Sequence, residues 1–132
     1  MADEQLTPNF WRSEFDSKDG KEMPPEILRE VRKTAQYLQT LRDHIEVTQG
    51  VERPITVNSG YRSKAHNKAV GGSKNSQHLY GKAADIVVDG LTPAKVKQIV
   101  EELIMRGKMK EGGIGLYPSF LHYDHRGIKA RW

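Results

Sequence analysis

The chain has 132 residues and a mass of 15.0 kDa, the size of one domain with a hydrophobic core of its own. Lysine and arginine number 21 against 17 acidic residues, a net charge of +4, which favours encounter with a polyanion without choosing between nucleic acid and an acidic cell wall. The absence of cysteine excludes thiolate metal sites, iron–sulfur clusters, disulfides and cysteine nucleophiles, and no apolar run approaches the roughly twenty residues of a membrane-spanning helix.

Met1 to Gln5 has neither the basic start nor the apolar stretch of a secretory signal, so the protein is expected to stay in the compartment where it is made until something releases it. Residues 1–22 read as an irregular arm, with Phe10, Trp11 and Phe15 packing it onto the core. Pro24-Pro25 opens a helix, because a first-turn proline gives up only an N–H that has no partner there. Leu28, Val31, Ala35, Leu38, Leu41 and Ile45 continue it at helical steps to about Val47, before Gly50. Pro54 to Asn58 predicts a short strand and Arg62 to Val70 a short helix stopped by Gly71-Gly72. Asp85 to Gly90 is a continuously apolar run after its first residue, the pattern of a strand covered on both faces. Thr92 as N-cap and Pro93 at the first helical position start a second long helix, with a stripe of Val96, Ile99, Val100, Leu103 and Ile104. Gly113 to Tyr117 and Phe120 to Arg126 then read as a hairpin. Residues 1–132 are thus expected to form a single α+β domain, two long helices over a small, mainly antiparallel sheet.

Polar residues that such a fold does not need gather in three stretches, Ser59 to Ser63, Ser76 to Asp85 and Phe120 to Arg126. Asp85 begins an apolar strand, where an unpaired carboxylate is costly, so it wants a cation. His78 precedes it across a turn at Gly81 and can converge with it on one ion. On a period-2 strand His122 and Asp124 share a face, while Leu121, Tyr123 and His125 take the other. Nitrogen and oxygen donors without thiolate point to zinc in an open site. On spacing alone the plainer alternatives stand beside this: a turn histidine at 78, a strand-end cap at 85 and a cross-strand polar residue at 122. His125 is expected at the surface, His44 at the negative end of the first helix and His66 in solvent. The zincin HExxH helix, the GxGxxG and phosphate-loop motifs and the GxSxG elbow are all absent from the sequence.

Ser76 through Asp85 has the pattern S-x-H-x-x-G-x-A-x-D and resembles the signature of the zinc D-Ala-D-Ala carboxypeptidase family. That family includes phage peptidoglycan endopeptidases and shares its fold with the hedgehog signalling domain. The likeness covers nearly the whole chain: Leu6-Thr-Pro-Asn-Phe10, Val57-Asn-Ser-Gly-Tyr-Arg-Ser63, Gly113-Ile-Gly-Leu-Tyr117, Phe120 to Asp124 and Lys129-Ala-Arg-Trp132 are similar to short phage and prophage members. The resemblance implies that His78, Asp85 and His122 hold Zn2+, that Arg62 polarises the scissile carbonyl, and that Tyr61 and Ser76 contact substrate. It implies a monomeric hydrolase of bacterial peptidoglycan, an endolysin-like peptidase with neither nucleic acid nor membrane as partner.

One position departs from the pattern. Members often carry a carboxylate general base three residues before the last ligand, and Ser119 stands there. Asp124 is the substitute that strand alternation offers, as base or as a group orienting His122. The same departure supports a catalytically silent wall-binding module on the same fold. The basic pI of about 9.3 supports a third alternative, a small nucleic-acid binder, whose affinity would fall steeply with salt.

Overall fold

A computed structural model describes residues 3–132. The opening segment expected as irregular contains a small antiparallel ladder, β1 (Gln5–Thr7) against β2 (Phe10–Trp11), followed by a 3-10 turn at Arg12–Phe15. Phe10 and Phe15 are fully buried and pack against each other, with ring centroids 6.2 Å apart. Trp11 differs from the expectation: alternation on β2 sends Phe10 inward and leaves Trp11 exposed.

Helix α1 spans Pro25–Gln49, capped at Pro24 and closed by Gly50 in the left-handed conformation, φ +70°. Its buried stripe of Val31, Ala35, Leu38, Leu41 and Ile45 is the predicted apolar face. After strand β3 (Ile55–Ser59) and the short helix α2 (Lys64–Ala69), a 3-10 turn at Gln77–Tyr80 leads into strand β4 (Ala83–Val88). Helix α3 (Pro93–Met105) begins as predicted, with Thr92 Oγ1 accepting the Lys95 N–H at 3.2 Å. Strands β5 (Gly113–Leu116), β6 (Leu121–Asp124) and β7 (Ala130–Arg131) complete the chain. Among the described residues, no helix is long and apolar enough to cross a membrane.

The five-stranded sheet runs β3-β4-β6-β5-β7, antiparallel throughout except for the β5–β7 pair. The fold is α+β, with β4 inside the sheet and buried along almost its whole length. Register decides what each face carries. Ala84 lies opposite Tyr123 and Ile86 opposite Leu121, and these four side chains join α1 and α3 in the core. Between them Asp85 lies opposite His122, so both project from the other face. On the far side of β4 the register shifts between Val57 and Ser59, which brings Ser59 opposite Asp85 instead of leaving it with the core-facing Ile55 and Val57. One face is therefore apolar and helix-covered, and the other carries the polar groups.

Candidate metal centre and cavity

His78, Asp85 and His122 each offer a ligand atom, and these atoms lie within 4.8 Å of one another. All three residues are buried. His78 Nε2 is 3.2 Å and His122 Nδ1 is 3.0 Å from the same atom, Asp85 Oδ1. The outer nitrogen of each ring is already engaged. His78 Nδ1 lies 2.7 Å from the carbonyl oxygen of Gly60, which can only accept, so Nδ1 carries the proton. His122 Nε2 lies 2.7 Å from Asp124 Oδ2, again an acceptor. With those protons placed, the neutral imidazoles turn two lone pairs onto a carboxylate oxygen. Such a set repels itself unless both rings are protonated or a cation stands among the three.

Local sequence explains how His78 reaches this place. Ser76 Oγ accepts the His78 backbone N–H at 3.2 Å and starts the 3-10 turn. Gly81 ends it at φ +72°, and a Cβ there would lie 2.9 Å from both Ile27 and Val31 of α1. No other residue allows both that backbone angle and that approach. Gly60, which holds the far side of His78, is itself pressed against the opening segment: a Cβ would sit 2.7 Å from Phe15 Cα. The Tyr61 N–H bonds the Phe15 carbonyl at 2.8 Å, and the Arg62 N–H bonds the His78 carbonyl at 3.0 Å.

Burial disfavours the Asp85 carboxylate, but the facing His122 and His78 outweigh it and hold its pKa well below the usual carboxylate range. His122 is shifted the other way: burial opposes its charge, yet Asp124 and Asp85 on its two nitrogens raise its pKa. Arg62 stands at the edge of the cluster. Its guanidinium reaches Ser59 Oγ at 3.1 Å, Asn67 Oδ1 at 3.3 Å and Asp85 Oδ2 at 3.4 Å.

These groups form the floor of an open cavity of about 520 Å3. Arg62, Ser76, His78, Asp85 and His122 line it. Tyr61 does not; its ring belongs to the hydrophobic core, because the turn after β3 directs it under the sheet while Arg62 takes the open side. Asp124 does not line the cavity either, and the expected base at that position is corrected by its surroundings. It is fully buried, and its oxygens accept from Gly113 N at 2.9 Å, Arg126 Nε at 2.8 Å, Arg126 Nη2 at 2.7 Å and His122 Nε2. Those donors leave it no opening toward a substrate; burial disfavours its charge, but Arg126, His122 and the Gly113 N–H together outweigh burial and keep it ionised.

His125 also differs from the expectation. It is buried, with Nε2 2.9 Å from Thr34 Oγ1 of α1 and its ring 5.4 Å from that of Tyr37. Alternation assigns it correctly to the face opposite His122, but α1 covers that face. Burial pushes its pKa down.

Sequence reasoning did not assign a role to the wall formed by Tyr117, Phe120, Arg126 and Trp132. The Tyr117 and Phe120 rings stack at 4.4 Å. The Trp132 indole donates to Tyr117 Oη at 2.8 Å and lies 5.0 Å from the His122 ring. Gly115 is the detectable signal for this wall, since a Cβ there would fall 2.4 Å from the Trp132 indole nitrogen.

A match to the family described as Peptidase M15 spans residues 5–124. The chain belongs to the peptidase M15 family. Within 35 residues it is 57% identical to the zinc D-Ala-D-Ala carboxypeptidase of Streptomyces albus G, covering 26% of this chain and 14% of that protein. It is 39% identical over 77 residues to the probable peptidoglycan L,D-endopeptidase MepK of Haemophilus influenzae, covering 53% and 38% of the two chains. With the Escherichia coli K12 peptidoglycan L,D-endopeptidase MepK it shares 30% over 82 residues, covering 57% and 42%. The chain thus spans less than half the length of each of these M15 relatives.

Proposed function

We propose that this M15 chain is a zinc-dependent peptidase that hydrolyses an amide bond in the peptidoglycan stem peptide or its cross-link. The observation that carries the reading is the pair of inward nitrogens, His78 Nε2 and His122 Nδ1, both facing Asp85 Oδ1 while their outer nitrogens are engaged. Two imidazoles and one carboxylate, opening onto a cavity, fit the donor set of a catalytic zinc site, which keeps a position free. Zinc held there supplies Lewis acidity and lowers the pKa of water to about 7.

The chain's own groups divide the remaining work. Gly60 O and Asp124 Oδ2 fix which nitrogen of each ring faces inward, and Asp124 increases the basicity of His122. Arg62 is tethered by Ser59 and Asn67 at the cavity edge. A guanidinium in that place stabilises negative charge developing on a carbonyl oxygen, an effect typically worth about 3 kcal/mol. Ser76 and the aromatic wall of Tyr117, Phe120 and Trp132 confine an extended peptide above the cluster. The names of the M15 relatives supply the substrate class, peptidoglycan.

A second reading, a wall-binding module without catalysis, rests on one observation. Asp85 is the only carboxylate residue lining the cavity among the described residues, and Ser119 does not line it. Mass spectrometry of purified peptidoglycan incubated with the zinc-loaded protein separates the two, with His78→Ala and a chelated sample alongside. New fragments from the native protein alone are expected, and their masses identify the bond. Zinc bound at one equivalent with no fragments from several wall types overturns the peptidase reading in favour of the binding module.

A further inference from the structure

A second cavity, of about 600 Å3, adjoins the reaction cavity, and Gly72 and Asn75 line both. Its walls carry Lys64 and Lys68 from α2, Lys74 from the following loop, and Leu79 and Tyr80 from the 3-10 turn. Lys64 and Lys68 are one helical turn apart and so share a face. All three lysines are exposed, and among the described residues none is in an ion pair. The lining contains no carboxylate. Three lysines, with no acidic group in the lining to offset them, therefore surround one concavity beside the reaction cavity.

The boundary between the cavities is built to close tolerance. Asn67 Nδ2 donates to the Ser73 carbonyl at 2.9 Å while its Oδ1 faces Arg62. A Cβ on Gly72 would fall 2.1 Å from that Oδ1 and 3.1 Å from Arg62 Nη1. Glycine at 72 therefore lets Asn67 and Arg62 pack against the backbone where the two cavities meet.

We infer that the Lys64–Lys68–Lys74 cavity is an extended substrate subsite, taking a carboxylate-bearing stretch of the same peptide whose amide lies over His78, Asp85 and His122. The inference rests on the peptidase reading. Lysines attract carboxylates as mobile point charges, and the half-buried Leu79 and exposed Tyr80 give the aliphatic part of such a peptide an apolar surface. The lining shared at Gly72 and Asn75 favours one occupant lying across both cavities over a separate nucleic-acid or glycan ligand.

The test compares the native chain with the triple variant Lys64→Gln/Lys68→Gln/Lys74→Gln, and with Lys108→Gln as a distant exposed control. Substrates are stem-peptide fragments with free carboxylates and the same fragments amidated. Three exposed charge contacts together predict a KM about 10-fold higher for the triple variant on the free-carboxylate fragment, with kcat held. The difference disappears on the amidated fragment and shrinks in high salt, and Lys108→Gln behaves as native. Independently of turnover, titrating the free-carboxylate peptide into the native chain shifts the amide resonances of Lys64, Lys68 and Lys74, and the amidated peptide does not. Equal KM values for the native chain and the triple variant, or shifts confined to the reaction cavity, overturn the subsite. Hydrolysis with no lysine shifts removes the subsite and leaves the peptidase reading intact; lysine shifts without hydrolysis do the reverse.

Discussion

His122 and His125 are three residues apart, and both are buried, but they belong to different chemistries. His122 projects from the open face of the sheet, between Asp85 and Asp124, and its pKa is raised. His125 points to the helix-covered face, bonds Thr34 Oγ1 at 2.9 Å, and burial pushes its pKa down. The difference shows that on this sheet the face, rather than the residue type or the degree of burial, decides whether an imidazole is a candidate ligand or a structural pin. Carboxylates on the open face favour a cation, and on the helical face the hydrogen-bond partner of the ring is a neutral hydroxyl.

Substitution at the two histidines should separate them most widely. His122→Ala is expected to abolish stoichiometric zinc binding and lower peptidase activity by about 1,000-fold or more, since a metal's electrostatic contribution is several kcal/mol. His125→Leu should retain one equivalent of zinc by elemental analysis. Next in size is Asp124→Asn, which keeps the shape but weakens the hold on His122 Nε2. Zinc affinity from competition titration should fall about 10- to 100-fold. An unchanged affinity would place the orienting role elsewhere.

The structural half of the comparison predicts a smaller effect. His125→Leu removes the bond to Thr34 and should cost about 1–2 kcal/mol of stability in denaturant unfolding. Its pH dependence gives the finest distinction. Because burial lowers the folded pKa of His125 from the ordinary 6.5, the unfolded chain binds a proton that the native state refuses. The contribution is present above pH 6.5 and is lost as pH falls toward the folded value. In chelated protein, stability should therefore decline less steeply between pH 7 and 5 in His125→Leu than in the native chain. Both chains carry the same other titrating groups, so the difference in slope isolates this ring.

The long helices and the central strand were legible because their signals are local. Apolar steps of three and four mark α1 and α3, and the run after Asp85 marks β4. Strand alternation also placed His122 and Asp124 on one face, and the motif around Ser76 drew attention to His78 and Asp85. What alternation could not supply is what covers each face. That gap explains His125, expected in solvent and found under α1, and Asp124, which shares His122's face but is enclosed by Gly113 and Arg126. Tyr61 failed for a related reason: adjacent residues in a turn diverge, and Tyr61 goes to the core while Arg62 goes to the cavity. The aromatic wall depends on β5 and β7 lying side by side, a pairing with no local signature beyond Gly115.

The contact between Phe15 and Gly60 has a further consequence. The carbonyl that holds His78 belongs to the residue pressed against Phe15, and the next N–H is bonded to Phe15 itself. A segment that contributes no ligand is thus a foundation of the metal centre. Docking of residues 3–15 and capture of the ion are then thermodynamically linked, each strengthening the other by the same free energy. Zinc uptake would then report whether the segment around Phe15 is docked against Gly60.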